Sequence, residues 1–395
     1  MNIIIAGDGK VGSTLTRQFT SEGYDVTVID LNPHVLEASV ERYDVFSTHG
    51  NCASMDTLLQ AGVMDSDLLI AATSHDEINL LCCTTAHALN PKLHTIARIR
   101  NPEYTEQIFR LRHVFGLSMA INPEKQAATE IERLLKYPGF LRRDTFAKGR
   151  TEIVELRVDA SSKLCNVRLM DLRNIVKCQV LVCAVLRSGT AVAPSGNFVL
   201  REGDRIFVTA PTKSLAVLLR NLGIINRKVR DVILCGGGRV SYYLARLLEK
   251  DGVSVQLIES DYERCRELCE LLPEATIICG DGTQQELLLE EGLQSMDAFV
   301  ALTGLDEQNI LLSFFAVARN VPKVIAKASR RELGALAEQL GLDNVVSPRS
   351  IVADLLVQCA RALENSMGSN VETLYRLMDD GAEALVFKVA DDPRV

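Results

Sequence analysis

One strand–turn–helix motif occurs twice in this chain, 229 residues apart. The first copy reads Ile3-Ile4-Ile5-Ala6-Gly7-Asp8-Gly9-Lys10-Val11-Gly12. The second reads Val232-Ile233-Leu234-Cys235-Gly236-Gly237-Gly238-Arg239-Val240-Ser241. In each, an apolar strand runs into a glycine-rich turn and a helix, and a further apolar strand ends on an acid, Asp30 or Glu259. The spacing from first glycine to acid is 23 residues in both copies. Parallel strands need a crossover between them, usually a helix, so this pattern confines each copy to a βαβ unit.

The repetition continues beyond the turns. Gly50-Asn51 matches Gly280-Asp281, Asp67–Thr73 matches Asp297–Thr303, and Asp76-Glu77-Ile78-Asn79 matches Asp306-Glu307-Gln308-Asn309. Apolar runs predict strands at 2–6, 25–30, 45–48, 67–72, 94–98 and 119–121. The second copy predicts them at 231–235, 254–259, 276–279, 297–302, 323–327 and 345–346. Helical patterns such as 10–22 and 239–251 lie between. The fold class is α/β, with two doubly wound parallel-sheet lobes in tandem.

Between the copies the texture changes. Residues 152–158, 180–186 and 205–210 read as strands, 214–222 as a helix, and Pro194-Ser195-Gly196 and Glu202-Gly203-Asp204 as turns. This is a small α+β module of about 80 residues, enough to fold independently. A long amphipathic helix is predicted at about 349–364, and Ala384–Val389 then resembles the strand Glu152–Val158. The expected divisions are 1–138, 139–226, 227–364 and 365–395, the last being the start of an incomplete second small module.

Gly7, Gly9 and Gly12 fit G-x-G-x-x-G, the fingerprint of a Rossmann-like nucleotide site. The first glycine permits the tight turn, the second lets the backbone approach a pyrophosphate, and the third brings helix and strand together. The loop residues Asp8, Lys10 and Val11 complete this cradle, whose helix N-terminus offers N–H groups to phosphate. Asp30 is the expected ribose acceptor, and its charge disfavours a 2′-phosphate. The second site uses Gly236, Gly238, Arg239, Val240 and Glu259, with Gly237 added and Ser241 in the third glycine's position. Asn51 and Cys52 follow the third strand and Thr73 ends the fourth, where the crevice of such a sheet lies. Asp281 and Thr303 match them, and Arg98 and Lys327 end the fifth strands, suited to phosphates or to a neighbouring subunit.

A net charge of −8 over 395 residues argues against general nucleic-acid binding. No apolar run reaches the 18 residues of a membrane span, and the N-terminus carries no signal-peptide pattern. The eleven cysteines lack metal-like spacing. Cys82, Cys83, Cys178, Cys183, Cys235 and Cys279 fall in predicted strands or buried helices and read as packed, reduced thiols of a cytosolic protein. Cys265 and Cys269, one helical turn apart, are the one candidate redox or metal pair. All six histidines lie in the first copy, and His75 alone falls near a crevice without an evident partner, so no catalytic residue is assigned.

Taken together, these motifs resemble the RCK/KTN proteins that regulate potassium transport. The resemblance rests on the tandem lobes, on Asp76-Glu77-x-Asn79 with its repeat, and on Pro194-x-Gly196 with Leu200-x-x-Gly203-Asp204 in the small C-lobe. It implies a non-enzymatic subunit that binds NAD(H), or ADP or ATP. It further implies a homo-tetrameric ring of eight lobes beneath a Trk-type membrane potassium channel or transporter, at the cytoplasmic face. The competing expectations are an NAD-dependent oxidoreductase and a regulator of another cation transport system.

Overall fold

The computed structural model describes residues 1–136, 142–146, 151–160, 162–211, 214, 217–218, 221–222, 229–366, 371–377 and 382–387. Two parallel six-stranded sheets carry the two copies. The first comprises β1 (Asn2–Ala6), β2 (Asp25–Asp30), β3 (Phe46–His49), β4 (Leu68–Ala71), β5 (His94–Arg98) and β6 (Met119–Ile121), in the order β3-β2-β1-β4-β5-β6. A middle sheet comprises β7 (Arg142–Phe146), β8 (Thr151–Arg157), β9 (Leu181–Arg187), β10 (Thr190–Val192) and β11 (Arg205–Pro211). The second copy supplies β12 (Asp231–Cys235), β13 (Ser254–Glu259), β14 (Thr276–Cys279), β15 (Ala298–Ala301), β16 (Lys323–Lys327) and β17 (Val345–Val346), in the order β14-β13-β12-β15-β16-β17. Both orders reverse direction between the first and fourth strands, which is the switch point where such sheets hold ligands.

Strands β4 and β15 are buried at every residue, as expected of parallel strands covered on both faces. The predicted parallel lobes are therefore present, and strand ends differ from expectation by one residue at most in either sheet. The middle sheet is antiparallel, in the order β10-β9-β11-β8-β7, and closes over Val154, Leu156, Val185, Leu200, Ile206 and Val208. Buried Asp204 accepts Arg187 Nε at 2.8 Å and Nη2 at 2.7 Å, tying the predicted Gly203-Asp204 turn to β9. The helix expected at 214–222 falls largely outside the described residues. Near the chain end, β18 (Val371–Leu377) pairs antiparallel with β19 (Ala382–Phe387), as β7 pairs with β8.

Packing does not follow chain order. The helix Pro348–Ser366 comes after the second sheet, yet Val352, Ala353, Leu356, Val357 and Ala360 complete the first sheet's core beside Leu15, Phe19 and Val28. It belongs to the compact unit formed by residues 1–126. Most of the helix Pro123–Lys136 belongs to the other unit, where Lys136 Nζ meets Asp251 at 2.9 Å.

Candidate functional site

In the first crevice Gly7 takes φ +94° and donates its N–H to Ile29 O at 2.7 Å. A Cβ there would lie 2.9 Å from Thr73 N and Cα, so β1 and β4 approach too closely for any side chain. A Cβ on Gly12 would lie 1.9 Å from Gly7 O. Gly9 differs from both: a Cβ there meets nothing within 4 Å. Packing within the chain therefore explains Gly7 and Gly12 and leaves Gly9 unexplained. Space for an approaching pyrophosphate is what the fingerprint requires at that position.

Asp30 ends β2 and ties the loop together. Its Oδ2 accepts Asp8 N at 2.7 Å and its Oδ1 accepts Asn32 N at 2.9 Å. A carboxylate has about four acceptor sites, so capacity remains for a ribose diol. Thr73 N and Oγ1 both donate to Asn79 Oδ1, at 2.9 and 2.7 Å, and Asn79 Nδ2 donates to Arg98 O at 2.8 Å. The fully buried Asn79 thus fastens the ends of β4 and β5 to each other at the crevice. In the sequence Asn79 shows only as part of a repeat, and its recurrence as Asn309 is the one signal of a role.

The second crevice repeats this frame with different parts. Gly236 takes φ +105°, and a Cβ there would lie 2.9 Å from Thr303 N. Gly237 N donates to Glu259 Oε2 at 2.6 Å, and Asp261 N to Oε1 at 2.8 Å. Asn309 Oδ1 accepts Thr303 N at 2.8 Å, and its Nδ2 donates to Lys327 O at 2.9 Å. Gly238, like Gly9, faces open space. Ser241 is fully buried and its hydroxyl donates to Gly236 O, the same carbonyl position that the third glycine faces in the first copy. The serine is accommodated by a hydrogen bond, without loss of the turn.

The copies differ most behind the loop. Buried Asp8 accepts hydrogen bonds from Thr16 Oγ1 at 3.2 Å and from Ser39 Oγ. Burial pushes the Asp8 carboxyl up, against the pull of the Ser39 and Thr16 hydroxyls, and nearby Asp30 adds to the rise. At the matching position stands Gly237, where a Cβ would lie 2.7 Å from Leu268 Cδ1. Leu268 fills the room that the Asp8–Ser39 pair fills in the first copy. Arg264, which sequence reading missed, donates from Nε to Gly237 O at 2.8 Å; the first copy has Val35 at that position.

Lys10 and Arg239 are exposed on the loops, whereas Val11 and Val240 are buried, so only their backbone can face a ligand. Asn51 Oδ1 accepts Ala53 N at 3.0 Å, and Asp281 Oδ1 accepts Thr283 N at 2.9 Å, each closing its own turn. Cys52 is buried, and its thiol is lowered first by a hydrogen bond from Cys82, against burial. Arg98 lies 3.7 Å from Glu124, and Lys327 Nζ donates to Leu302 O at 3.1 Å. The His75 ring meets its neighbour Ser74 Oγ through Nδ1, at 2.9 Å.

All eleven cysteines are free thiols. Cys82, Cys83 and Cys235 are buried as expected, but Cys178 and Cys183 are half-buried and Cys279 is exposed, because it ends the edge strand β14. Among the described residues no group of histidine, cysteine and acid is arranged to hold a metal, and no helix is long and apolar enough to cross a membrane. A depression of about 550 Å³ in the middle module is lined in part by Met170, Arg173, Gln179 and Ser195, and by no residue of either glycine loop.

Two glycine loops at the switch points of two parallel sheets, each backed by an acid, define a tandem Rossmann-type chain. Residues 3–123 and 232–348 each match the TrkA-N domain, and residues 153–223 match the TrkA-C domain. The chain is 34% identical over 378 residues to the Trk system potassium uptake protein TrkA homolog of Archaeoglobus fulgidus, covering 95% of this chain and 84% of that protein. It is 32% identical to the Trk system potassium uptake protein TrkA of Vibrio alginolyticus, over 98% of this chain and 84% of the relative. The chain belongs to the TrkA family. Its fold is also that of the GsuK RCK domain, with a TM-score of 0.68 at 19% identity, over 95% of this chain and 79% of the other. A structure of the GsuK channel bound to NAD gives 0.68 at 20% identity, over 95% and 66%.

Proposed function

We propose that the chain is a cytosolic regulatory subunit that binds nucleotide in its two crevices and gates a Trk-type membrane potassium uptake channel or transporter. Family membership supports the transport role, since relatives matched over nearly the whole chain are Trk system potassium uptake proteins. The observation that carries nucleotide binding is the contrast among the glycines: Gly7 and Gly12 are fixed by contacts within the chain, while Gly9 and Gly238 face open space. Loop N–H groups would hold the phosphates and Asp30 or Glu259 the ribose. NAD(H) fits the acid, which repels a 2′-phosphate, and ADP or ATP presents the same ribose and diphosphate. Fold neighbours include GsuK structures bound to NAD and to ADP, which suits either ligand.

The nucleotide acts here as an effector and is not consumed. A ligand shifts a two-state assembly only by binding one state better than the other, so the two ring shapes must differ at the crevices. In this reading four chains form an eight-lobe ring at the inner membrane face, and the sequence lobes end near residues 138, 226 and 364. The test is calorimetric titration of the purified chain with NADH, NAD+, ATP and ADP. Selective binding without turnover is expected; no binding to any of the four would overturn the nucleotide reading.

A further inference from the structure

The helix Tyr262–Leu271 touches the second crevice at three points. Arg264 Nε donates to Gly237 O at 2.8 Å, and Leu268 occupies the space beside Gly237. Cys265 Sγ donates to Glu259 O at 3.3 Å. A second sulfur lies near the first, for the Cys279 side chain acts on the Cys265 thiol and helps to raise it. Cys279 is paired in register with Glu259 across β13 and β14, so the two thiols flank the ribose acid from helix and strand. Cys279 is exposed at the sheet edge, whereas Cys265 is 5% exposed.

We propose that Cys265 and Cys279 form a thiol–disulfide modification site on the second nucleotide lobe, oxidised by a peroxide and restored by a small-molecule thiol. The exposed Cys279 thiolate attacks a peroxide oxygen. The O–O bond breaks, an alcohol or water leaves, and Cys279 becomes a sulfenic acid. The Cys265 sulfur then displaces hydroxide from that sulfur, and its proton departs with the hydroxide as water. Two thiols thus lose two electrons and two protons, while ROOH becomes ROH and water. The order of attack follows from burial, which together with the Cys279 contact pushes the Cys265 thiol up to about 12.

Cys269 is the competing partner and is excluded by helix geometry. Side chains one turn apart hold their Cβ atoms about 5–6 Å apart, whereas a disulfide needs roughly 3.8 Å. The first copy lacks the pair altogether, with Leu36 and His49 at the matching positions. Its own bonded thiols, Cys52 and Cys82, are both buried from any oxidant. Closing the sulfurs to about 2.05 Å draws Cys265 away from Glu259 O and shifts its helix, with Arg264 and Leu268, against the glycine loop. Oxidation therefore weakens nucleotide binding at the second crevice, a consequence that rests on the nucleotide reading above.

The test is hydrogen peroxide treatment of the full chain, thiol blocking and non-reducing peptide mapping. A single Cys265–Cys279 linkage is expected, reversed by dithiothreitol, absent in Cys279→Ser and kept in Cys269→Ser. A Cys265–Cys269 linkage, or Cys279 oxidised without any linkage, overturns the site. ADP titration in a Gly9→Ala background should show affinity about fivefold weaker after oxidation, the scale of one lost hydrogen bond. Equal affinity before and after overturns the coupling. No ADP binding by the reduced chain would be failure of the nucleotide reading and would leave the mapping result to decide the disulfide.

Discussion

Arg361 and Glu22 form an ion pair across 339 residues of sequence. Glu22 closes the helix Gly12–Ser21, and Arg361 lies on the helix that follows the second sheet. Gln18 Nε2 donates to Asp354 Oδ1 at 2.7 Å and Tyr24 OH to Glu364 Oε2 at 3.1 Å on the same interface. Lys136 and Asp251 occupy the matching positions in the other unit, 2.9 Å apart. Each repeat's closing helix is therefore held by a basic–acidic contact to the opening helix of the other repeat.

The two pairs differ in burial, and their variants should differ accordingly. The Glu22 side chain is 5% exposed, so Arg361→Ala leaves a buried carboxylate without its cation and should cost about 3–5 kcal/mol. Lys136→Ala, whose side chain is 46% exposed but also serves buried Glu132, should cost less, about 1–3 kcal/mol. Urea unfolding of both variants measures the difference. No loss in either variant would show that the exchanged helices are held by their apolar faces alone.

That exchange was not legible in the sequence. The apolar stripe of Val352, Leu356, Val357 and Ala360 predicts a packed helix, but periodicity does not say which sheet receives it. Strands and glycine turns were legible because steric demands there are local: Gly7 and Gly236 must adopt positive φ, and the acid must stand at the end of the next strand. The crevice's inner frame was half legible. Asn79 and Asn309 recur at matching positions, yet their amides act across strands, which only three dimensions reveal. Cys279 was misread as buried because a short apolar strand looks the same at an edge as at the centre.

Gly9→Ala separates binding from folding. Its Cβ enters open space and its φ is ordinary, so apo stability should stay within about 1 kcal/mol of the parent. A methyl group where the pyrophosphate approaches should cut first-site affinity at least about tenfold, or 1.4 kcal/mol. Gly12→Ala, with a Cβ 1.9 Å from Gly7 O, should instead destabilise the fold by roughly 1–3 kcal/mol. Undiminished nucleotide affinity in Gly9→Ala would remove the main support for the phosphate cradle.

Asp30→Ala removes the expected ribose acceptor and strands the Asp8 and Asn32 amides that it now holds. Affinity for NADH at the first site should fall by roughly 1.5–3 kcal/mol, the scale of hydrogen bonds to a charged group. The measurement is calorimetry with the second site disabled by Gly238→Ala. Unchanged affinity there would mean that Asp30 serves only to order the loop.

Lys323 gives the second sheet a pH signature of its own. The side chain is 3% exposed, donates from Nζ to Asn344 Oδ1 at 2.8 Å, and lies near enough to Asp343 to feel its charge. Burial outweighs that attraction and pulls the ammonium from 10.5 down to about 8. Between those values the unfolded chain holds the proton and the folded chain does not, so unfolding takes up a proton and rising pH favours the folded state. The gain is absent below pH 8 and complete above 10.5, on the order of 3 kcal/mol at most. Buried thiols such as Cys235, pushed up to about 12 by burial, act in the opposite direction at alkaline pH. They are common to the parent and to Lys323→Met, so the difference between the two proteins isolates the lysine. In urea unfolding, the stability of Lys323→Met relative to the parent should be highest at pH 7 and fall steadily towards pH 10.5. A difference independent of pH would mean that Lys323 stays charged in the folded protein, held by Asn344 and Asp343 despite its burial.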